Sequence, residues 1–202
     1  MISEGERKRV VEAIRAAESK TAGEIFCVIT RASSGYRLVP VAWAALIALL
    51  VPLPLIYFTS WPAGLIYMAQ LLVFLAAMAI LSLPAVRYRV VPRQAMHSRA
   101  HAEARRQFLA HGLHLTKERT GVLIFASVAE RYAEIVADAG INDKVTSQVW
   151  EDAVASMVSA IGDGRTGDGF VAAVDRCGAV LAEHFPPGTI NRNELPNKLV
   201  VI

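Results

Sequence analysis

Between Leu38 and Val86 the 202-residue chain has no Asp, Glu, Lys, Arg or His. That absence argues against a proton relay or ion path through the stretch, because such paths use ionisable groups inside the membrane. Cysteine is scarce too: Cys27 and Cys177 are the only two, far apart and each within an apolar pattern. They read as two buried thiols in a reducing compartment, not as a disulfide or a metal pair. Met1–Glu6 lacks the basic region of a signal peptide, so the first apolar span is expected to act as an internal signal anchor. The net charge is only +3 and no nucleic-acid-binding motif accompanies the arginines, so no nucleic-acid partner is expected.

What fills the charge-free stretch is two apolar runs, 39–58 and 63–83, joined by Thr59-Ser60-Trp61-Pro62. At a rise of about 1.5 Å per residue, each run matches a hydrocarbon core of about 30 Å. Neither run shows a polar stripe, which a buried helix pair in a soluble domain normally keeps somewhere. The expectation is a transmembrane hairpin over 38–86, with Pro52 and Pro54 kinking its first helix and Gln70 bonding between helices. Arg31 and Arg37 precede it, Arg87, Arg89 and Arg93 follow it, and the turn carries no charge. The positive-inside bias then puts both termini and the soluble domain in the cytoplasm, as an integral inner-membrane protein with two spans whose arginines suit anionic headgroups of the lipid bilayer.

The rest of the chain alternates between helix and strand. Ser3 and Glu6 form a capping box ahead of Val10, Val11 and Ile14, which predicts a helix to about residue 19. Residues 24–30, Glu-Ile-Phe-Cys-Val-Ile-Thr, alternate too little for a solvent-facing edge and predict an interior strand. Pro92 opens a helix over 93–110. Residues 120–127 and 132–138 then read as two strands too closely spaced for a crossover, hence an antiparallel hairpin. Asn142 or Asp143 is expected to cap a helix running to about 161, and Asp168 a second from 169 to about 184. The tail 186–202 holds 199–202, read as a short added strand or a membrane-proximal contact. The soluble domain is therefore expected in two parts, 1–36 and 92–185, folding together around the inserted hairpin.

Several stretches carry a family resemblance: Thr21-Ala22-Gly23-Glu24-Ile25, Thr120-Gly121-Val122-Leu123-Ile124, Trp150, and the more specific run Glu130-Arg131-Tyr132-Ala133-Glu134-Ile135-Val136-Ala137-Asp138-Ala139-Gly140-Ile141. With the order of elements around them, they make the chain resemble the TPM domain, the family of the thylakoid lumen photosystem II repair protein and of related bacterial membrane proteins. The resemblance implies an α/β fold, a three-layer α/β/α sandwich, and the divalent-metal binding or acid phosphatase activity ascribed to some members. The chain departs from the usual arrangement, in which a signal peptide precedes the domain and any span follows it; here a two-helix transmembrane hairpin is inserted within it.

The chemistry outside the hairpin is carboxylate-rich. Asp138 ends a predicted strand, Asn142 and Asp143 follow in the next turn, and Asp163 and Asp168 lie in Gly162-Asp163-Gly164-Arg165-Thr166-Gly167-Asp168-Gly169. Such oxygen ligands at strand ends and helix starts suit Ca²⁺ or Mg²⁺, although caps and turn residues give the same pattern and the EF-hand spacing is absent. Arg131 and Arg165 are the candidates for holding a phosphate through paired N–H donors. His97 and His101 stand four apart on a predicted helix, but the intervening Ser98-Arg99-Ala100 lacks the Glu of the zincin pattern. No Asp-x-Asp or Cys-x5-Arg nucleophile is present, so no catalytic residue is assigned. Two functions compete: a membrane-anchored adaptor or assembly and maintenance factor with a protein partner, and a divalent-metal-dependent phosphomonoester hydrolase.

Overall fold

A computed structural model of the chain describes residues 2–146, 148–187 and 194–202. It divides into two compact units, Met1–Ser33 with His97–Ile202, and Ser34–Met96.

The first unit is built on a four-stranded mixed sheet. Its strands are β1 (Glu24–Thr30), β2 (Gly121–Ser127), β3 (Tyr132–Ala137) and β4 (Leu199–Val201), in the order β3-β2-β1-β4. β1 pairs parallel with both β2 and β4, and β2 pairs antiparallel with β3. All seven residues of β1 and all seven of β2 are buried, which is why their sequences are near-continuous apolar runs rather than alternating ones. Alternation survives only in which face each side chain meets. Ile25, Cys27, Ile29, Val122, Ile124 and Ala126 pack into one core with α1 (Glu4–Glu18), α8 (Gln148–Gly162) and α9 (Thr166–His184). Phe26, Val28, Leu123 and Phe125 pack into a second core with Ala100, Ala104 and Phe108 of α6 (Arg93–Ala110) and with Leu113. Helices thus cover both faces of the sheet. Cys27 and Cys177 are free and buried in the first core, where the low polarity pushes both thiols above their ordinary pKa.

Local signals set several of these elements. Ser3 accepts the Glu6 N–H while the Glu6 carboxylate accepts the Ser3 N–H at 2.7 Å, completing the capping box of α1. β4 takes the added-strand alternative, with Leu199 opposite Cys27. Two expected caps are corrected. Asp138 is already the N-cap of a short helix α7 (Ala139–Asn142), so Asn142 lies inside that helix and Asp143 closes it, while α8 is the separate helix Gln148–Gly162. Asp168 sits in the first turn of α9, not at its cap. The reason is Gly164: its φ of +77° ends α8 with the Arg165 N–H on the Ala160 carbonyl at 2.8 Å, so the chain re-enters a helix at Thr166.

The second unit holds α2 (Leu38–Leu50), α3 (Pro52–Phe58), α4 (Ala63–Ser82) and α5 (Pro84–Val90). Pro52 stands at the first position of α3, and α2 gives way to α3 at Val51, whose φ of −60° and ψ of −43° stay helical. Pro40, Ala44 and Ala48 are the buried residues of α2, a small-residue stripe at helical spacing that lets α4 pack closely. α4 itself buries no residue. Leu38–Phe58 and Ala63–Ser82 are each long and apolar enough to cross a membrane by length and composition. At the open end of the unit, Tyr36, Val91 and Met96 form a small cluster with Val39 and Tyr88.

Candidate functional site

Polar side chains of the sheet unit gather at the two ends of the sheet. At one end β1 and β2 begin and β3 finishes. The Glu24 N–H bonds to the Thr120 carbonyl at 3.1 Å and the Asp138 N–H to the Gly121 carbonyl at 2.9 Å, tying the three strands together there. Asp138 is 5% exposed and fully engaged: it accepts the Ala139 N–H at 2.7 Å, and its two oxygens accept from Arg119 at 3.2 and 3.4 Å. Gly140 is required beside it, because a Cβ there would lie 2.7 Å from the carbonyl oxygens of both Glu118 and Arg119. The Asn142 amide donates to the Ala137 carbonyl at 2.9 Å, and Asp143 is exposed.

The same end contains a cavity of about 390 Å³ lined by Arg15, Glu18, Ser19, Thr21, Gly23, Glu24 and Asn197. Glu18 accepts the Ile25 N–H at 2.9 Å on one oxygen and the Asn197 amide on the other. Glu24 accepts the N–H groups of Glu194 and Leu195 at 3.0 and 3.3 Å, so this carboxylate clasps the tail that leads into β4. Burial pushes Glu18 up to about 8, aided by the negative charge of Glu24 and opposed by its own hydrogen bonds. Burial raises Glu24 as well, against the two N–H donors.

The other end holds the β2–β3 turn and the α8–α9 turn. Glu130 is buried there, accepting from the Ser127 hydroxyl and from the Ser33 N–H at 2.8 Å. Arg131 occupies the turn with a φ of +47° and an exposed side chain. Arg165 pairs with Asp163 at 2.9 Å, and Asp168 pairs with Arg9 at 2.9 Å, all four side chains about half exposed or more.

The five expected metal ligands therefore fall into two sets. Asp138, Asn142 and Asp143 precede α8 and Asp163 and Asp168 follow it, so a 15-residue helix, about 22 Å long at 1.5 Å per residue, separates them. Among the described residues no three His, Cys, Asp or Glu side chains form a group able to hold a metal ion. Asp138, Asp163 and Asp168 each pair with an arginine, and the structure does not bring the five residues together at one centre. Sequence reasoning missed Glu18, Arg119 and the contact of Glu134 with His101. Glu18 looks like an ordinary last-turn acid, and it is the distant tail residue Asn197 that donates to it; Arg119 carries no local pattern at all.

None of the curated proteins matches the chain. Among solved structures, the NMR structure of the BA42 protein from the psychrophilic bacterium Bizionia argentinensis is similar in fold, with a TM-score of 0.62 at 21% identity, covering 100% of this chain and 96% of that one. Residues 85–180, from the end of the hairpin unit to the last turns of α9, match the TPM domain family, and the open mixed sheet with its helices is TPM-domain-like.

Proposed function

We propose that the chain is a membrane-anchored TPM-like domain acting as an adaptor or an assembly and maintenance factor at the cytoplasmic face. The observation that carries this reading is the helix pair itself. α4 buries none of its residues, and Leu49, Leu72, Ile80 and Phe58 are all more than half exposed. Apolar surface of that extent without a polar stripe is stable in lipid and a liability in water. The arginines at both flanks and the neutral turn favour cytoplasmic termini. Anchored in this way, a domain whose carboxylates are engaged by arginines and backbone N–H groups suits holding a protein partner better than turning over a substrate. Reporters fused before residue 1 and after residue 202 test the topology: both are expected in the cytoplasm, and termini on opposite faces would sink the two-span reading.

A phosphomonoester hydrolase is the second reading, favoured by the cavity at Glu18, where a carboxyl keeps its proton near neutral pH and could protonate a leaving group. No step through Ca²⁺ or Mg²⁺ is derived for it, and Arg131 and Arg165 lie at the opposite end of the sheet. The purified chain is expected to leave p-nitrophenyl phosphate unhydrolysed with either ion present. Turnover lost in Glu18→Gln would reverse the order of the two readings.

A further inference from the structure

The helical pair His97 and His101 finds its carboxylate on the neighbouring strand, not on its own helix. His101 Nδ1 lies 2.8 and 3.0 Å from the two carboxylate oxygens of Glu134 on β3. The Tyr132 hydroxyl donates to the same carboxylate at 2.8 Å, so Glu134 is fixed from two sides. The His97 ring packs on Tyr132 with centroids 5.3 Å apart, which holds it on the same side of α6 one turn before His101. β3 is an edge strand, and the His101 side chain is 49% exposed against 22% for Glu134.

A carboxylate on Nδ1 fixes the tautomer that leaves Nε2 unprotonated, as an acceptor. Histidines at i and i+4 on one helix face place a ring nitrogen of each within reach of one ion. Imidazole pairs select borderline transition ions over Mg²⁺ and Ca²⁺. We propose that His97 and His101 form a binding site for a divalent transition-metal ion, with Zn²⁺ as its test ion, in which Glu134, held by Tyr132, positions His101 through its Nδ1–H. Two protein nitrogens bind the ion and water completes its shell, so the site is open and distinct from the aspartates at the ends of the sheet. The bland alternative is a surface ion pair, whose contribution to stability is small and which has no use for His97.

The test is a Zn²⁺ titration of the full chain in detergent micelles, with Mg²⁺ as control. One Zn²⁺ per chain is expected and no binding of Mg²⁺ here. His97→Ala with His101→Ala together abolish that binding, and Glu134→Gln weakens it by about 10–100-fold, as loss of an outer partner does at histidine metal sites. Imidazole ¹⁵N shifts of the unmodified chain read the geometry directly: His101 should bind through Nε2 while Nδ1 stays protonated. Zinc binding retained in the double variant, Glu134→Gln binding zinc like the unmodified chain, or coordination through His101 Nδ1 would each overturn the proposal. The ¹⁵N measurement keeps it falsifiable if Glu134→Gln fails to fold.

Discussion

The sheet unit and the helix-pair unit are both rich in apolar side chains but deal with them in opposite ways. In the first, β1 and β2 are buried on both faces because α1, α8 and α9 on one side and α6 on the other each turn an apolar stripe inward and a charged face outward. In the second, α2 buries only Pro40, Ala44 and Ala48, α4 is at most half-buried along one stripe, and most of their large apolar side chains stay exposed. What distinguishes the two units is the presence of covering helices with a polar side, not the amount of hydrophobicity; the uncovered pair is long and apolar enough to cross a membrane.

The sharpest break of that comparison is a cavity in the shared sheet. Phe125→Ala, at a fully buried position between β2 and α6, should cost about 3–5 kcal/mol in chemical denaturation of the sheet unit while leaving membrane insertion intact. Conversely, Leu72→Arg near the middle of α4 should oppose insertion by about 2.5–3.5 kcal/mol, read from the fraction resisting alkaline extraction. Its effect on folding of the sheet unit should be nil; a large one would mean that α4 belongs to a soluble core. Gly140→Ala forces a Cβ against two carbonyl oxygens at 2.7 Å, and should cost about 1–3 kcal/mol by the same denaturation.

The last expected effect is a pH dependence at Glu18. Its folded pKa, raised to about 8 from an ordinary 4.5, means that its protonated form favours the fold. That contribution is fully present below about 4.5 and is lost as pH rises through 8. Glu18→Gln, which keeps an oxygen for the Ile25 N–H, should therefore gain stability relative to the unmodified chain as pH rises across this window. Melting curves of the two that run parallel from pH 5 to 9 would remove the buried-acid account of the cavity.

How much of this was legible depends on the range of the interaction. The capping box at Ser3, the interior strand 24–30, the helix over 93–110 and the antiparallel pair at 120–127 and 132–138 follow from neighbours a few residues apart, and they stand within a residue of where the local pattern puts them. The starts of α8 and α9 were misplaced because Asp138 and Gly164, not the next available Asn or Asp, set the turns. The candidate site was read least well, since sharing a loop-rich sequence says nothing about sharing an end of the sheet.

By itself the sequence determined where apolar length is sufficient to span a bilayer, which faces need cover, and which short motifs start a helix, because each depends on a local period or cap. Only the tertiary structure decided that α8 would carry Asp163 and Asp168 away from Asp138, that Arg119 would reach Asp138 and Asn197 would close over Glu18, and that Glu134 would meet His101. Those partners stand 19, 179 and 33 residues apart, and nothing in a local period encodes a contact made by strands and helices meeting from distant parts of the chain.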